Sequence, residues 1–265
     1  MKQTSDFWDA LAPHHAALEN NFFDRPSLRR ILPEVHEPVL VVGAGQGLIV
    51  AELQKRGLQC DGVDSSPEMI RYAKLRRGLA LIQADAKALP LKNGSYRTII
   101  YATGVIDFIG DDAAIKLILD EAKRIVSPAG HIFVAFYRMS AALENFLSRL
   151  GLLHNHTLSH RETLEMNLLS PLQMLRWVAK KADAGCLRAA FQLIRMAALS
   201  TIQEKRSSLS MQKVFRRMDN PRSLIESAAE QQPYRNEAEI RRLFGRLGVP
   251  LQQLRTLSSC FVVKI

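Results

Sequence analysis

Gly43-Ala44-Gly45-Gln46-Gly47 stands directly between an apolar run, Pro38-Val39-Leu40-Val41-Val42, and a helical run that begins at Leu48. Glycines in such a turn let the backbone approach a ligand closely, and the helix start offers N–H groups to it. Glycine-rich turns also arise from tight packing alone. A dinucleotide site wants glycine or alanine at the sixth position, and here that position is Leu48, which counts against NAD or FAD. Asp64, at the tip of the next strand and about 20 residues on, is placed to accept hydrogen bonds from vicinal ribose hydroxyls. The plainer alternative is an acid that caps the helix opened by Ser66-Pro67. Asp85, in Gln83-Ala84-Asp85-Ala86, follows a third strand and so borders the ligand crevice of a parallel sheet, where it can accept from the exocyclic amine of an adenine. Taken singly, a strand-end Asp is more often a turn residue.

The elements that must hold these residues alternate. Strands are expected at Pro38–Val42, Cys60–Val63, Leu79–Gln83, Thr98–Ala102 and His131–Tyr137. Helices are expected from Leu48 to Arg56, from Pro67 with Ser66 as N-cap, and from Asp111 to Val126, ending before Pro128. This alternation implies a parallel sheet. The C-terminus resumes the pattern, with a helix capped by Asn236 and strands near Leu251–Thr256 and Cys260–Ile265. Residues 139–235 are too many for a structureless loop, and Leu187, Ala190, Phe191, Ile194, Ala198 and Ile202 fall at helical spacing. The reading is a core of 1–138 with 236–265, interrupted by a helical insert of 139–235 after the fifth strand.

Taken together, Gly43-x-Gly45-x-Gly47, Gly62-Val63-Asp64-Ser65-Ser66-Pro67-Glu68-Met69-Ile70, Ala84-Asp85-Ala86 before Leu89-Pro90, and Val126-Ser127-Pro128-Ala129-Gly130-His131 resemble the class I S-adenosylmethionine-dependent methyltransferases. The pattern is similar to the small-molecule branch that includes the ubiquinone and menaquinone methyltransferases. It covers roughly residues 37–138 and the terminal helix and strands, not 139–235. The resemblance implies a Rossmann-like, doubly wound, mostly parallel α/β sheet of seven strands, and S-adenosylmethionine as cofactor. It also implies that Gly43, Ala44, Gly45 and Gly47 line the methionine end and that Asp64 holds the ribose. Ser65 and Met69 would flank the adenosine, Asp85 and Ala86 would contact the adenine, and Thr103 would face the sulfonium. Two positions depart from the family pattern. Val41 stands where the family usually has an acid, and Tyr96-Arg97 stands where it often has an aromatic-Asp pair.

A sulfonium methyl is already activated, so in-line positioning supplies most of the acceleration and no catalytic residue is required. For a hydroxyl acceptor a general base would help, and Tyr101, Asp107 and Tyr137 are candidates by position, each also readable as core or cap. His14 and His15, beside Phe7, Trp8 and Leu11, belong to an amphipathic segment that could form a lid, with solvated histidines the commoner case. His154-x-His156-x-x-x-His160 has a spacing that metal sites use, but no Cys or carboxylate pair completes a tetrahedron. Polar surface or a substrate-facing role is the preferred reading, and no metal is assigned.

The 265 residues carry 36 Lys+Arg and 26 Asp+Glu, a formal net charge of +10. Residues 1–138 are nearly neutral at +1, whereas 139–235 carry +6 and 236–265 carry +3. The excess therefore lies away from the glycine loop. The insert is expected to be a lid over the acceptor site, with Phe146, Leu150, Met166, Met174, Trp177 and Phe191 forming its own core or lining an apolar pocket. Its basic residues, Lys180, Lys181, Arg188, Arg195, Lys205, Arg206, Arg216 and Arg217, fit a solvated face, an amphipathic surface against anionic membrane lipid, or RNA phosphates. With aromatics at 7% and no recognised RNA-binding module, nucleic acid is the least favoured. Three scattered cysteines form no disulfide framework, and MKQTSDFWDA lacks the apolar core of a signal peptide. The expectation is a cytoplasmic enzyme, with peripheral membrane contact open, acting on a small organic acceptor. An RNA-directed methyltransferase and a non-catalytic cofactor-binding module are the alternatives.

Overall fold

The structure, a computed structural model, describes residues 8–13, 25–107, 109, 111–137, 237–257 and 260–265. The chain divides into two compact units, Met1–Arg138 with Arg235–Ile265, and Met139–Tyr234. The second unit lies outside the described residues, and with it the helical insert, its basic and apolar residues and the His154/His156/His160 pattern; His14 and His15 lie outside them too.

In the first unit the strands are β1 (Val39–Val42), β2 (Cys60–Asp64), β3 (Ile82–Gln83), β4 (Tyr96–Tyr101), β5 (Val126–Tyr137), β6 (Gln253–Thr256) and β7 (Cys260–Lys264). Its helices among the described residues include α1 (Arg25–Ile31), α2 (Leu48–Gln54), α3 (Pro67–Arg77), α4 (Asp112–Ile125) and α5 (Glu237–Arg246). One sheet contains all seven strands in the order β3-β2-β1-β4-β5-β7-β6. β1 pairs in parallel with both β2 and β4, β5 pairs in parallel with β4, and β7 runs antiparallel to both β5 and β6.

Because side chains alternate across a strand, the central strands feed two apolar layers. Leu40, Val42, Ile99, Tyr101, Val134 and Phe136 pack with Ile115, Ile118 and Leu119 of α4 and with Ile240, Leu243 and Phe244 of α5. On the other face Val39, Val41, Ile100, Phe133 and Ala135 pack with Leu28 and Ile31 of α1 and Ile49, Val50 and Leu53 of α2. All four residues of β1 are buried, which is why it reads as an unbroken apolar run rather than an alternating one. Each such side chain contributes roughly 1.5–3 kcal/mol by leaving water. Val41 belongs to the α1/α2 layer and is fully buried, so it brings no carboxylate to the crevice.

The observed boundaries differ from the sequence expectation in informative places. β3 is shorter than Leu79–Gln83, pairing only through Val63–Ile82 and Asp64–Gln83 at the sheet's edge. β5 begins at Val126, where α4 ends, and its pairing with β4 shifts register between the Tyr96 and Thr98 pairs. Gly130 permits that irregularity: a Cβ there would lie 2.7 Å from the Arg97 carbonyl oxygen and 2.5 Å from Val126 Cγ2. α4 is capped as its sequence suggests, Asp111 accepting from the N–H of Ala113 at 3.0 Å and of Ala114 at 3.3 Å.

Candidate functional site

The strand order runs outward in one direction from β1 through β2 and in the other from β4 through β5. A crevice therefore opens beyond the carboxyl ends of β1 and β4, the position where open α/β sheets bind ligands. The residues around it are set by three loops.

The loop after β1 is stitched to β2. The N–H groups of Gly43 and Ala44 both donate to the Val63 carbonyl at 2.9 Å. Gly43, Gly45 and Gly47 have φ of 70°, 55° and 80°, a region that costs other residues strain. Space forbids a side chain as well: a Cβ on Gly43 would lie 2.1 Å from Val105 Cγ2, and one on Gly47 2.4 Å from Leu79 Cδ1. Tight packing and the positive φ angles both account for these glycines.

Asp64, at the end of β2, joins this loop to the start of α3. Its Oδ2 accepts from the Gly45 N–H at 2.7 Å, and its Oδ1 accepts from the Ser66 N–H at 2.9 Å. Burial raises its pKa above the ordinary carboxylate value, backbone N–H groups of Ser66, Gly45 and Ser65 oppose that rise, and the neighbouring charge of Asp9 adds to it. Ser66 caps α3, its hydroxyl accepting from the Met69 N–H at 3.1 Å. Ser65 is exposed, whereas Met69 is buried to 1% exposure.

Asp85 and Ala86 follow β3, and the Ala84 N–H donates to the Asp64 carbonyl at 3.0 Å, which brings the two acids' loops together. Asp85 is the centre of a local turn, Oδ1 accepting from the Lys87 N–H at 3.0 Å and Oδ2 pairing with Lys87 Nζ at 3.5 Å. Ala86 packs at the margin of the apolar layer.

The third loop, after β4, carries Thr103, Gly104 and Asp107. Thr103 is 8% exposed, and its Oγ1 is the one buried side-chain polar atom without a hydrogen-bond partner among the described residues. An orphaned buried hydroxyl costs about 1–3 kcal/mol, so it marks a place where a partner is wanted. Gly104, at φ 91°, lies between the Trp8 ring and the Tyr137 hydroxyl, each 3.1 Å from where its Cβ would be.

The three sequence candidates for a general base come out differently. Tyr101 takes the core reading: it is fully buried, its hydroxyl donates to the Ile118 carbonyl at 3.1 Å, and burial raises its pKa. Asp107 is 5% exposed and acts as a clamp, Oδ2 accepting from the Gly104 N–H at 2.9 Å and Oδ1 from the Tyr137 N–H at 3.2 Å. Tyr137 is half-buried at the end of β5, with its hydroxyl beside Gly104. The departure at Tyr96 also gains a partner, since its hydroxyl donates to Asp61 Oδ2 at 2.8 Å.

Sequence reasoning saw an amphipathic N-terminal segment but missed the contacts of Asp9 and Gln46. Asp9 Oδ1 accepts from the Ser66 hydroxyl and, at 3.2 Å, from the Glu68 N–H. Gln46, fully buried in the glycine loop, donates to the Ala12 carbonyl and accepts from Arg76 at 3.0 Å, while Arg76 also donates to the Pro13 carbonyl at 3.1 Å. Nothing local in the sequence announces these contacts; the amphipathic pattern of Trp8 and Leu11 was the signal that the segment packs, and Leu11 and Ala12 are buried.

Residues 40–134 match a family described as a methyltransferase domain. The demethylmenaquinone methyltransferase of Corynebacterium kroppenstedtii is 32% identical over 106 residues, covering 40% of this chain and 44% of that protein. The ubiquinone biosynthesis O-methyltransferase of Xylella fastidiosa is 26% identical over 137 residues, covering 50% of this chain and 54% of that protein. The chain thus spans about half the length of these curated relatives. Among solved structures, a protein of Rhodobacter sphaeroides described as a Zn-dependent alcohol dehydrogenase aligns over 99% of this chain and 96% of its own, at TM-score 0.57 and 13% identity. An S-adenosylmethionine-dependent methyltransferase of Thermotoga maritima aligns over 99% and 97%, at TM-score 0.50 and 16% identity. These two likenesses are of fold.

Proposed function

From the premise that residues 40–134 are a class I S-adenosylmethionine-dependent methyltransferase domain, we propose that this chain transfers a methyl group from S-adenosylmethionine to a small, apolar organic acceptor. The residues at the switch point fit that cofactor. The Asp64 carboxylate takes backbone N–H groups of Gly45, Ser66 and Ser65 and has about four lone-pair sites, which leaves acceptor capacity for a ribose hydroxyl. The orphaned Thr103 hydroxyl faces the sulfonium end, with Gly43, Ala44, Gly45 and Gly47 along the methionine part. Ser65 and Met69 flank the adenosine, and Asp85 and Ala86 meet the adenine.

When bound, S-adenosylmethionine supplies a methyl group already activated for in-line displacement. The chain's own part is to hold the acceptor atom and that methyl in line and to exclude water. The Asp64 and Asp107 clamps fix the loops on the two sides of the crevice, so little reorganisation is left for the moment of transfer. No base is assigned, because Tyr101 is committed to the core and Asp107 to two backbone N–H groups. The names of the curated relatives support a quinol-type acceptor.

The observation that carries this reading is the meeting of the Gly45 N–H with the Asp64 carboxylate at one lip of the crevice and a buried, partnerless Thr103 hydroxyl at the other. The test is release of S-adenosylhomocysteine from S-adenosylmethionine in the presence of a panel of short-chain hydroquinones. Acceptor-dependent release is the expected result. Cofactor binding without release toward any hydroquinone, but with release toward RNA, would replace the acceptor class. Binding with no release toward either would leave a non-catalytic binding module.

A further inference from the structure

The N-terminal segment reaches the proposed nucleoside end through one side chain. Asp9 Oδ1 takes two hydrogen bonds at the start of α3, from the Ser66 hydroxyl and from the Glu68 N–H. The same Ser66 hydroxyl accepts from the Met69 N–H, and the Ser66 N–H is held by Asp64. A chain of hydrogen bonds therefore runs from Asp9 through Ser66 to the carboxylate proposed to hold the ribose. Asp9 arrives from 57 residues upstream of Ser66, and its segment is anchored independently by the Gln46 and Arg76 contacts to Ala12 and Pro13.

We infer that Asp9 is a positioning residue of the cofactor site, one that fixes the Asp64–Met69 turn by hydrogen bonding and brings its carboxylate beside that turn. This rests on the reading of Asp64 as the ribose acceptor. Asp9 makes two separable contributions. Both hydrogen bonds end on a single oxygen, so an amide at this position keeps them, whereas an alanine loses them. Only the carboxylate places a negative charge beside Asp64, where it disfavours the ionised form that accepts hydroxyl protons. Among the described residues Glu68 pairs with Arg71 at 2.7 Å, Asp85 with Lys87, and Arg76 and Arg77 with Gln46 at 3.0 and 2.9 Å. Of the described charged groups, Asp9 is the one whose charge raises the Asp64 pKa.

The experiment is calorimetric titration of the full chain with S-adenosylhomocysteine across the acid range, for the wild type, Asp9→Ala and Asp9→Asn. Asp9→Ala should lose roughly fivefold in affinity at neutral pH, the effect of removing a good helix-start acceptor. Asp9→Asn should restore that affinity and move the acid midpoint of binding to lower pH. A merely structural role would not move that midpoint. Wild-type affinity in Asp9→Ala, or an unmoved midpoint in Asp9→Asn, overturns the inference. Asp9→Asn keeps both bonds, so its midpoint decides the matter even if Asp9→Ala does not fold. A folded wild type that gives no binding at all overturns the methyltransferase reading itself, which is a different outcome.

Discussion

On the β1–β2 side of the crevice Asp64 accepts the N–H groups of Gly45 and Ser66, and on the β4–β5 side Asp107 accepts those of Gly104 and Tyr137. Both sides thus use one carboxylate to tie two loops at the carboxyl ends of adjacent strands. They differ in what is left over. The Asp64 side is closed upon itself, with Ser66, Glu68 and Met69 joined to Asp9. The Asp107 side leaves the Thr103 hydroxyl buried and unpartnered. A finished side and an unfinished side are what a site needs if one end grips a ligand in a fixed pose and the other takes part in what happens to it.

That contrast breaks most visibly at Asp107. Asp107→Ala leaves two N–H groups without their carboxylate in a buried place, and should cost about 3 kcal/mol of stability in urea unfolding. A loss near zero would mean the β4–β5 side is not clamped. Gly104→Ala comes next. It must hold φ 91° and push into Trp8 and Tyr137, for an expected loss of about 2 kcal/mol in the same measurement. Thr103→Val sharpens the comparison in the opposite direction. Removing an unpaired buried hydroxyl should leave the free protein unchanged or more stable by about 1 kcal/mol, while weakening S-adenosylmethionine binding or turnover. If Thr103→Val is destabilising by that amount instead, the hydroxyl already has a partner.

The smallest effect is a control at the opposite end of the sheet. Side-chain hydrogen bonds from Lys264 and Arg255 lower the Glu34 pKa below its ordinary value of 4.5. A depressed carboxyl stabilises the fold above its unfolded pKa and loses that contribution as pH falls through the folded one. Glu34→Gln should therefore cost about 0.5 kcal/mol at neutral pH and approach zero in acid, below 4.5, as expected for a pair still in contact with water. Ligand affinity should not change.

Much of this was legible from the chain. Local signals carried the β1–glycine–α2 unit, the Ser66 cap and the buried run of β1, because each is decided by residues within one turn of one another. The doubly wound, mostly parallel character of the sheet followed from alternation and from the family resemblance. What escaped was decided at long range. Asp9 and Gln46 are polar residues in weakly patterned sequence, and only the fold brings Asp9 to Ser66 or Ala12 to Gln46. Tyr101 looked like a strand-end acid–base candidate, but side chains alternate across β4 and its turn falls toward α4. The early start of β5 depended on Gly130 fitting against the Arg97 carbonyl, a contact between strands rather than within one.

The central claim is that the carboxylate finishing the β1–β2 side holds a nucleoside. Calorimetric titration of the folded full chain with S-adenosylhomocysteine, wild type against Asp64→Ala, tests it most directly. Saturable binding by the wild type with at least a tenfold loss in the variant, about 1.4 kcal/mol, is the predicted result. No binding by the wild type, or equal affinity in the two, would contradict it.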